Sequence, residues 1–353
     1  MAPAEDTETC SSRGNEALVP ATQTREKPKR WRRANKRELL LFGPLYAWLS
    51  FINYSIKIWL TPSWFVWLES NHAAMLEFKF TNNEQSRLLQ FLVPEFFHRL
   101  FGTTIQHSYA LARLIFVFLT YLFFHRYLRT WFCVGEAFAG VALFAAIVPF
   151  THMNDLQESS PLLMLLFLLA LQAIRDNRTV FLLVVLFVGG LTNETMLILP
   201  SVYFFYHLRS GSLERVLVTA GKAFLVGIPL LATVGPIRYF TRHSPHLGGG
   251  FHWPDNSEGI LRDLSCNPLD MPAAGYIFFI LFFGILWYYA LFDYANKPLF
   301  LRRASWMVPF FILAHLITGK INEPRQMIPL SFIIIPMSMF FLLEKGQQAD
   351  PVD

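Results

Sequence analysis

The polar residues of this chain that could do chemistry fall in short turns between apolar stretches. The densest group is Asn82-Asn83-Glu84-Gln85-Ser86-Arg87, where Glu84 and Arg87, three residues apart, would share one helix face. Such a pair can hold a carboxylate ionised beside a bound anion, and the same spacing serves an interfacial ion pair. Asn193-Glu194 places a carboxylate between two halves of an apolar hairpin, near membrane depth, where ionisable groups are costly and usually line a cavity. Glu323-Pro324-Arg325 closes another tight turn. Its guanidinium suits bidentate binding of a phosphate, or an ion pair within the loop ahead of a proline helix start. Further turns carry Asn154, Asp155, Gln157 and Glu158, and then Arg238, Arg242, His243 and His246. His243, His246 and His252 surround Gly248-Gly249-Gly250 and are the chain's candidate metal ligands, but no carboxylate spacing accompanies them and no metal is expected. The glycines suggest a lid.

The elements that must position these turns are membrane spans. A chain with 54% hydrophobic residues and 36 Phe, and a mean hydropathy of +0.36, is too apolar for one soluble core. Ten apolar windows fall near 39–60, 108–124, 131–150, 161–174, 179–192, 196–207, 216–236, 273–293, 304–318 and 326–343. Several are shorter than the roughly 20 residues a perpendicular helix needs, which points to tilted, broken or cavity-lining segments. The run from 179 to 207 is interrupted by Gly189, Gly190 and Thr192-Asn193-Glu194-Thr195 and is flanked by basic residues at both ends. It therefore reads as a hairpin of two short helices rather than one span.

The net charge of +5 does not imply nucleic acid, because 9 of the 30 Lys and Arg residues lie in the first 37 positions. They make residues 1–37 a disordered basic cytoplasmic tail. The turns at 125–130, 175–178, 209–215 and 297–303 are also basic, so the positive-inside rule places both termini in the cytoplasm around a transmembrane domain over 38–343, with 344–353 a short cytoplasmic tail. Two long loops, about 62–107 and 237–272, then face outward. The first alternates aromatic and charged residues, as interfacial amphipathic helices do. Lys57, Arg113, Glu136 and Lys222 fall within or near spans, where snorkelling or internal pairing must accommodate them. Walker A, GxGxxG, HExxH and GxSxG patterns are absent from the sequence, which leaves nucleotide-driven transport, dinucleotide chemistry and the common hydrolases without support.

A long first outer loop with interfacial helices, followed by many short helices with polar groups on the outer face, resembles the GT-C superfamily of integral membrane glycosyltransferases. The local carriers are Asn83-Glu84-Gln85-Ser86-Arg87, Leu191-Thr192-Asn193-Glu194-Thr195 and Glu323-Pro324-Arg325. The chain departs from that pattern in lacking an acidic pair directly after the first helix and a soluble carboxyl-terminal domain. The resemblance implies an all-α polytopic fold of about ten spans and transfer of a sugar from a polyprenyl-phosphate donor, by inverting displacement, to an extracytoplasmic glycan, lipid or protein acceptor. It further implies Glu84 as general base, with Asp155 and Glu69 as substitutes. Arg325, Arg87, Arg238 and Arg242 would hold the lipid phosphate, and Asn193, Glu194, Asn83 and Glu323 would hold sugar or acceptor. The expected location is a bacterial plasma membrane, or the endoplasmic reticulum of a eukaryote. Two alternatives accompany this reading: a non-catalytic subunit of a larger membrane complex, and a lipid-handling protein or transporter.

Overall fold

A computed structural model describes residues 36–80, 83–152, 158–208, 212–242, 251–266 and 275–343. Residues 1–35 of the expected amino-terminal tail, the whole carboxyl-terminal tail, and Asp155, His243 and His246 lie outside the described residues, while Lys36 and Arg37, expected in the tail, open the first helix. Fifteen α-helices occur among those described, joined by turns and short 3-10 segments and without a strand. They are α1 (Lys36–Leu60), α2 (Pro62–Leu76), α3 (Leu88–Phe101), α4 (Ile105–Leu128), α5 (Val134–Ile147), α6 (Ser159–Arg175), α7 (Thr179–Gly190) and α8 (Leu199–His207). These are followed by α9 (Leu213–Thr241), α10 (Trp253–Ser265), α11 (Ile277–Leu281), α12 (Leu286–Leu291), α13 (Leu299–Ser305), α14 (Met307–Thr318) and α15 (Ser331–Leu342).

Five helical stretches are long and apolar enough to cross a membrane: Ile105–Leu128, Val134–His152, Leu213–Thr241, Leu299–Thr318 and Pro324–Leu342. The chain is an all-α membrane protein. The other windows read from the sequence become shorter or more polar elements. The window at 273–293 breaks into α11 and α12 around Gly284, whose φ of +48° is left-handed backbone that glycine adopts without strain. The last window begins as a 3-10 segment, Pro324–Leu330, before α15.

Two helices form the centre. Nearly every side chain of α6 from Ser159 to Ile174, and of α15 from Ser331 to Phe340, is buried by neighbouring helices, as expected of helices that are hydrophobic all round. Phe144 of α5 meets Phe124 of α4 and Phe332 of α15 at centroid distances of 5.3 and 5.2 Å, which locks the two halves of the core together. By contrast α7 and α9 present Val180, Val184, Phe224, Leu225 and Phe240 outward, a face that only lipid suits.

The run from 179 to 207 folds as two short helices with a reversal between them. A Cβ added at Gly190 would lie 1.9 Å from Thr233 Oγ1, so α7 and α9 approach backbone to backbone there. Pro200 packs against Gly227 on the same helix, while Glu194 reaches Arg238 farther along it. The turn thus lies at the carboxyl-terminal end of α9, with α7 and α8 running back alongside. The first long loop is an ordered cap of α2 and α3 packed on α4. The cap is tied to the hairpin because the Leu89 N–H, left without an intrahelical acceptor at the start of α3, donates to the Leu191 carbonyl at 3.1 Å.

Candidate functional site

Side chains from non-adjacent turns gather at one end of the bundle in three connected groups. The deepest joins α1, α4, α5 and α6. Arg113, about two helical turns inside α4, sends Nη1 to both oxygens of Glu158 at 2.7 Å and Nη2 to His152 Nδ1 at 3.1 Å. A guanidinium only donates, so His152 accepts at Nδ1. Lys57, near the end of α1, places Nζ 3.8 Å from Glu158 Oε1. Lys57 is 0%, Arg113 2% and Glu158 9% exposed, so these charges are sustained by one another in a low-dielectric setting.

The second group is built on the hairpin turn. Asn193 caps the short 3-10 segment after α7, its Oδ1 accepting from Thr195 N at 2.9 Å, and this fixes the turn from which Glu194 reaches its partners. Glu194 receives Ser86 Oγ at 3.0 Å, Arg87 Nε at 3.6 Å and a close contact from Arg238 Nη2. Burial pushes the Glu194 carboxyl up, but the two guanidinium groups and the Ser86 hydroxyl outweigh that and hold it below the usual carboxylate range. Asn193 Nδ2 and Arg87 Nη1 both reach Ser159 Oγ, at 3.3 and 3.4 Å, and Ser159 follows Glu158 directly. The first two groups therefore share a backbone link.

The third group is a cavity of about 80 Å³ lined by Trp64, Trp67, Asn71, Glu84, Tyr109 and Glu158, with Leu68, Met75 and Gln90 completing the wall. Residues Asn83–Ser86 form a 3-10 turn held against α2 by Gln85, whose Nε2 donates to the Met75 carbonyl at 2.9 Å. That turn directs Glu84 inward, where its Oε2 accepts from Gln90 Nε2 at 2.6 Å. Glu84 and Arg87 thus reach different partners. The change of helix type between them separates a pair that the i,i+3 spacing placed on one face.

The remaining candidates lie elsewhere. Arg325 is buried in the turn before α15 and donates to Glu323 Oε2 at 2.6 and 3.2 Å, the intraloop ion pair that the sequence allowed. Arg242 is exposed and stacks over the Tyr239 ring at 3.7 Å. Glu69 is exposed and accepts from Gln106 at 3.1 Å, apart from the cavity wall. Asn83 opens the 3-10 turn, but its side chain, like Asp155, is outside the description. His252 precedes α10 with Asp255 3.5 Å away. Among the described residues no three His, Cys, Asp or Glu side chains meet as a metal site would require. Sequence reading marked Lys57 and Arg113 only as charges within spans, and it missed His72, Glu95, Gln90, Tyr109 and His152. Comparison of the chain with protein-family models, with curated proteins and with solved structures gives no match.

Proposed function

We propose that the chain is a membrane glycosyltransferase of GT-C type, which uses the cavity between the cap and α4 to transfer a sugar from a polyprenyl-phosphate donor to an acceptor hydroxyl. The observation that supports it best is the composition of the cavity wall. The carboxylates of Glu84 and Glu158 lie with two amides and three aromatic rings, a set of apolar faces and polar edges suited to a sugar. In this reading the acceptor oxygen attacks the anomeric carbon opposite the phosphate. The new C–O bond forms as the old one breaks, the electron pair leaves with the phosphate, and the hydroxyl proton passes to Glu84. Arg87 and Arg238, whose side chains are 14% and 31% exposed beside Glu194, are placed to exchange part of that contact for a phosphate. Arg325, paired with Glu323, and Arg242, stacked on Tyr239, lie away from the cavity and have no part in this reading, while Asn193 supports it by fixing the turn that carries Glu194. Ten spans with both termini inside, in a bacterial plasma membrane or the endoplasmic reticulum, complete the proposal.

The test uses the full chain in vesicles with polyprenyl-phosphate hexoses as donors. Glu84→Gln is expected to lower turnover by about 10²-fold or more, with the helical content and melting profile retained. Unchanged turnover removes Glu84 from the role of base. A second reading, a non-catalytic subunit that scaffolds a complex, is favoured by one observation. Glu158, Glu194 and Arg325 are each engaged by partners within the chain, and the cavity is small beside the roughly 300 Å³ at which ligand pockets begin. Absence of transfer with every donor, together with a stoichiometric membrane partner on purification, supports that reading.

A further inference from the structure

The cavity is reached by a chain of hydrogen bonds that no step above uses. Glu95 on α3 accepts from His72 Nε2 on α2 at 3.0 Å, and His72 Nδ1 lies 3.1 Å from the Tyr109 hydroxyl on α4. His72 and Tyr109 are 3% and 1% exposed. An ionised carboxylate only accepts, so the Nε2 proton of His72 is committed to Glu95. In the neutral imidazole Nδ1 then carries a lone pair, which accepts the proton of the Tyr109 hydroxyl. The His72 bond, first among several contacts, holds the Glu95 carboxyl below its usual range, which keeps this acceptor ionised. In that state Tyr109, which lines the cavity, keeps oxygen lone pairs and has no proton to give a ligand there. Two further polar atoms of that wall, Trp64 Nε1 and Gln90 Oε1, are buried without a hydrogen-bond partner, an arrangement that costs about 1–3 kcal/mol per group unless a ligand supplies one. One donor and two acceptor positions around a small space fit a molecule carrying several hydroxyl groups.

We propose that Glu95, His72 and Tyr109 form a carboxylate–imidazole–phenol relay that takes the proton of a ligand hydroxyl bound between Tyr109, Trp64 and Gln90. The ligand O–H proton moves to the phenol oxygen as the phenol proton moves to His72 Nδ1. The resulting imidazolium keeps its Nε2–H bond to Glu95, so the three groups gain one proton and the ligand oxygen gains the electron pair it needs as a nucleophile. The inference rests on the sugar-transfer reading for the identity of the hydroxyl but gives its proton to Tyr109 in place of Glu84, so the two bases are alternatives that Tyr109→Phe and Glu84→Gln separate. Tyr109 is then the catalytic residue, and His72 and Glu95 position and charge it. The charged groups around the relay are Arg99 beside Glu95, Glu69 on α2, and Glu84, Glu158, Arg113 and Lys57 on the cavity side. Protonating His72 removes the Nδ1 lone pair, so the relay fails on the acid side of the rate profile.

The experiment compares the full-length wild type with Tyr109→Phe, His72→Gln and Glu95→Gln, in vesicles supplied with polyprenyl-phosphate glucose and a lipid-anchored disaccharide acceptor. Tyr109→Phe is expected to lower kcat by about 10²-fold while KM stays within about twofold, and Glu95→Gln should move the acid limb of kcat to lower pH. Tyr109→Phe turnover within about twofold of wild type, or an unmoved acid limb in Glu95→Gln, overturns the relay. If the wild type itself transfers nothing, the sugar-transfer reading fails and nitrogen NMR of the labelled imidazoles decides the relay alone, with the His72→Gln protein assigning the signal. A His72 signal of the Nε2–H tautomer at neutral pH, lost or inverted in Glu95→Gln, supports the relay. A His72 signal of the Nδ1–H tautomer in the wild type overturns it.

Discussion

Glu158 and Glu194 are both carboxylates clasped by two cations at the same end of the bundle, yet the two centres differ in what surrounds them. Glu158, Arg113 and Lys57 sit among α1, α4, α5 and α6 with almost no access to water, whereas Arg238 and Glu194 remain a quarter to a third open. In the first centre the ions have given up hydration, so each depends on the others. In the second, water already shares the charges, so an incoming anion can replace one partner at little cost. The difference separates a charged group that holds helices together from one that is free to exchange contacts.

The largest effect that tests this contrast is expected at Arg113. Arg113→Met leaves Glu158 buried without its main donor and should cost about 3–5 kcal/mol, read from denaturant titration in micelles. Combining it with Glu158→Leu and Lys57→Met should recover much of that loss, since three apolar side chains of similar volume need no hydration and no buried ammonium is left without its carboxylate. A triple variant as unstable as the single would show that the ions do more than satisfy each other. Next in size is the hairpin that aims Glu194. Gly190→Leu must push α9 away from α7 at Thr233 and should cost about 1–3 kcal/mol, while Gly235→Leu, which meets open space, should be close to neutral. Equal effects at the two glycines would remove the close approach from the explanation.

Smaller still is Arg238→Gln, expected to cost about 1 kcal/mol or less because the pair is part-exposed. A loss as large as that of Arg113→Met would erase the contrast. The smallest effect is in pH. The Glu194 carboxyl is held below its ordinary 4.5 in the folded protein, so its contribution is complete above that value and is lost as the pH falls through the lower, folded one. Acidification below about pH 4.5 should therefore speed amide exchange in the 191–198 turn, and Glu194→Gln should remove that dependence.

Much of this contrast could be read from residue order, but unevenly. The hairpin was legible because basic residues flank both ends and Thr192-Asn193-Glu194-Thr195 interrupts the apolar run. Lys57 and Arg113 stood out as charges inside spans, although their common partner Glu158 did not, because it lies 45 residues beyond Arg113 in an ordinary polar turn. Helix spacing misassigned Glu84 and Arg87, since that rule holds only within one continuous α-helix and a 3-10 turn ends between them. Arg325 illustrates the reverse case, in which a neighbour two residues away satisfies a guanidinium before any distant ligand can. The Glu95–His72–Tyr109 chain was invisible, because its members are 23 and 37 residues apart and each alone is an ordinary amphipathic-helix residue.

The sheathing of α6 has a consequence for the surrounding bilayer. At 17 residues the helix is about 26 Å long, short of the roughly 30 Å of hydrocarbon, but none of its sides meets acyl chains. The 29 residues of α9 extend about 44 Å with one side against lipid. Thickness of the host membrane therefore acts on α9, whose tilt carries Arg238, and leaves the Glu158 end of α6 untouched.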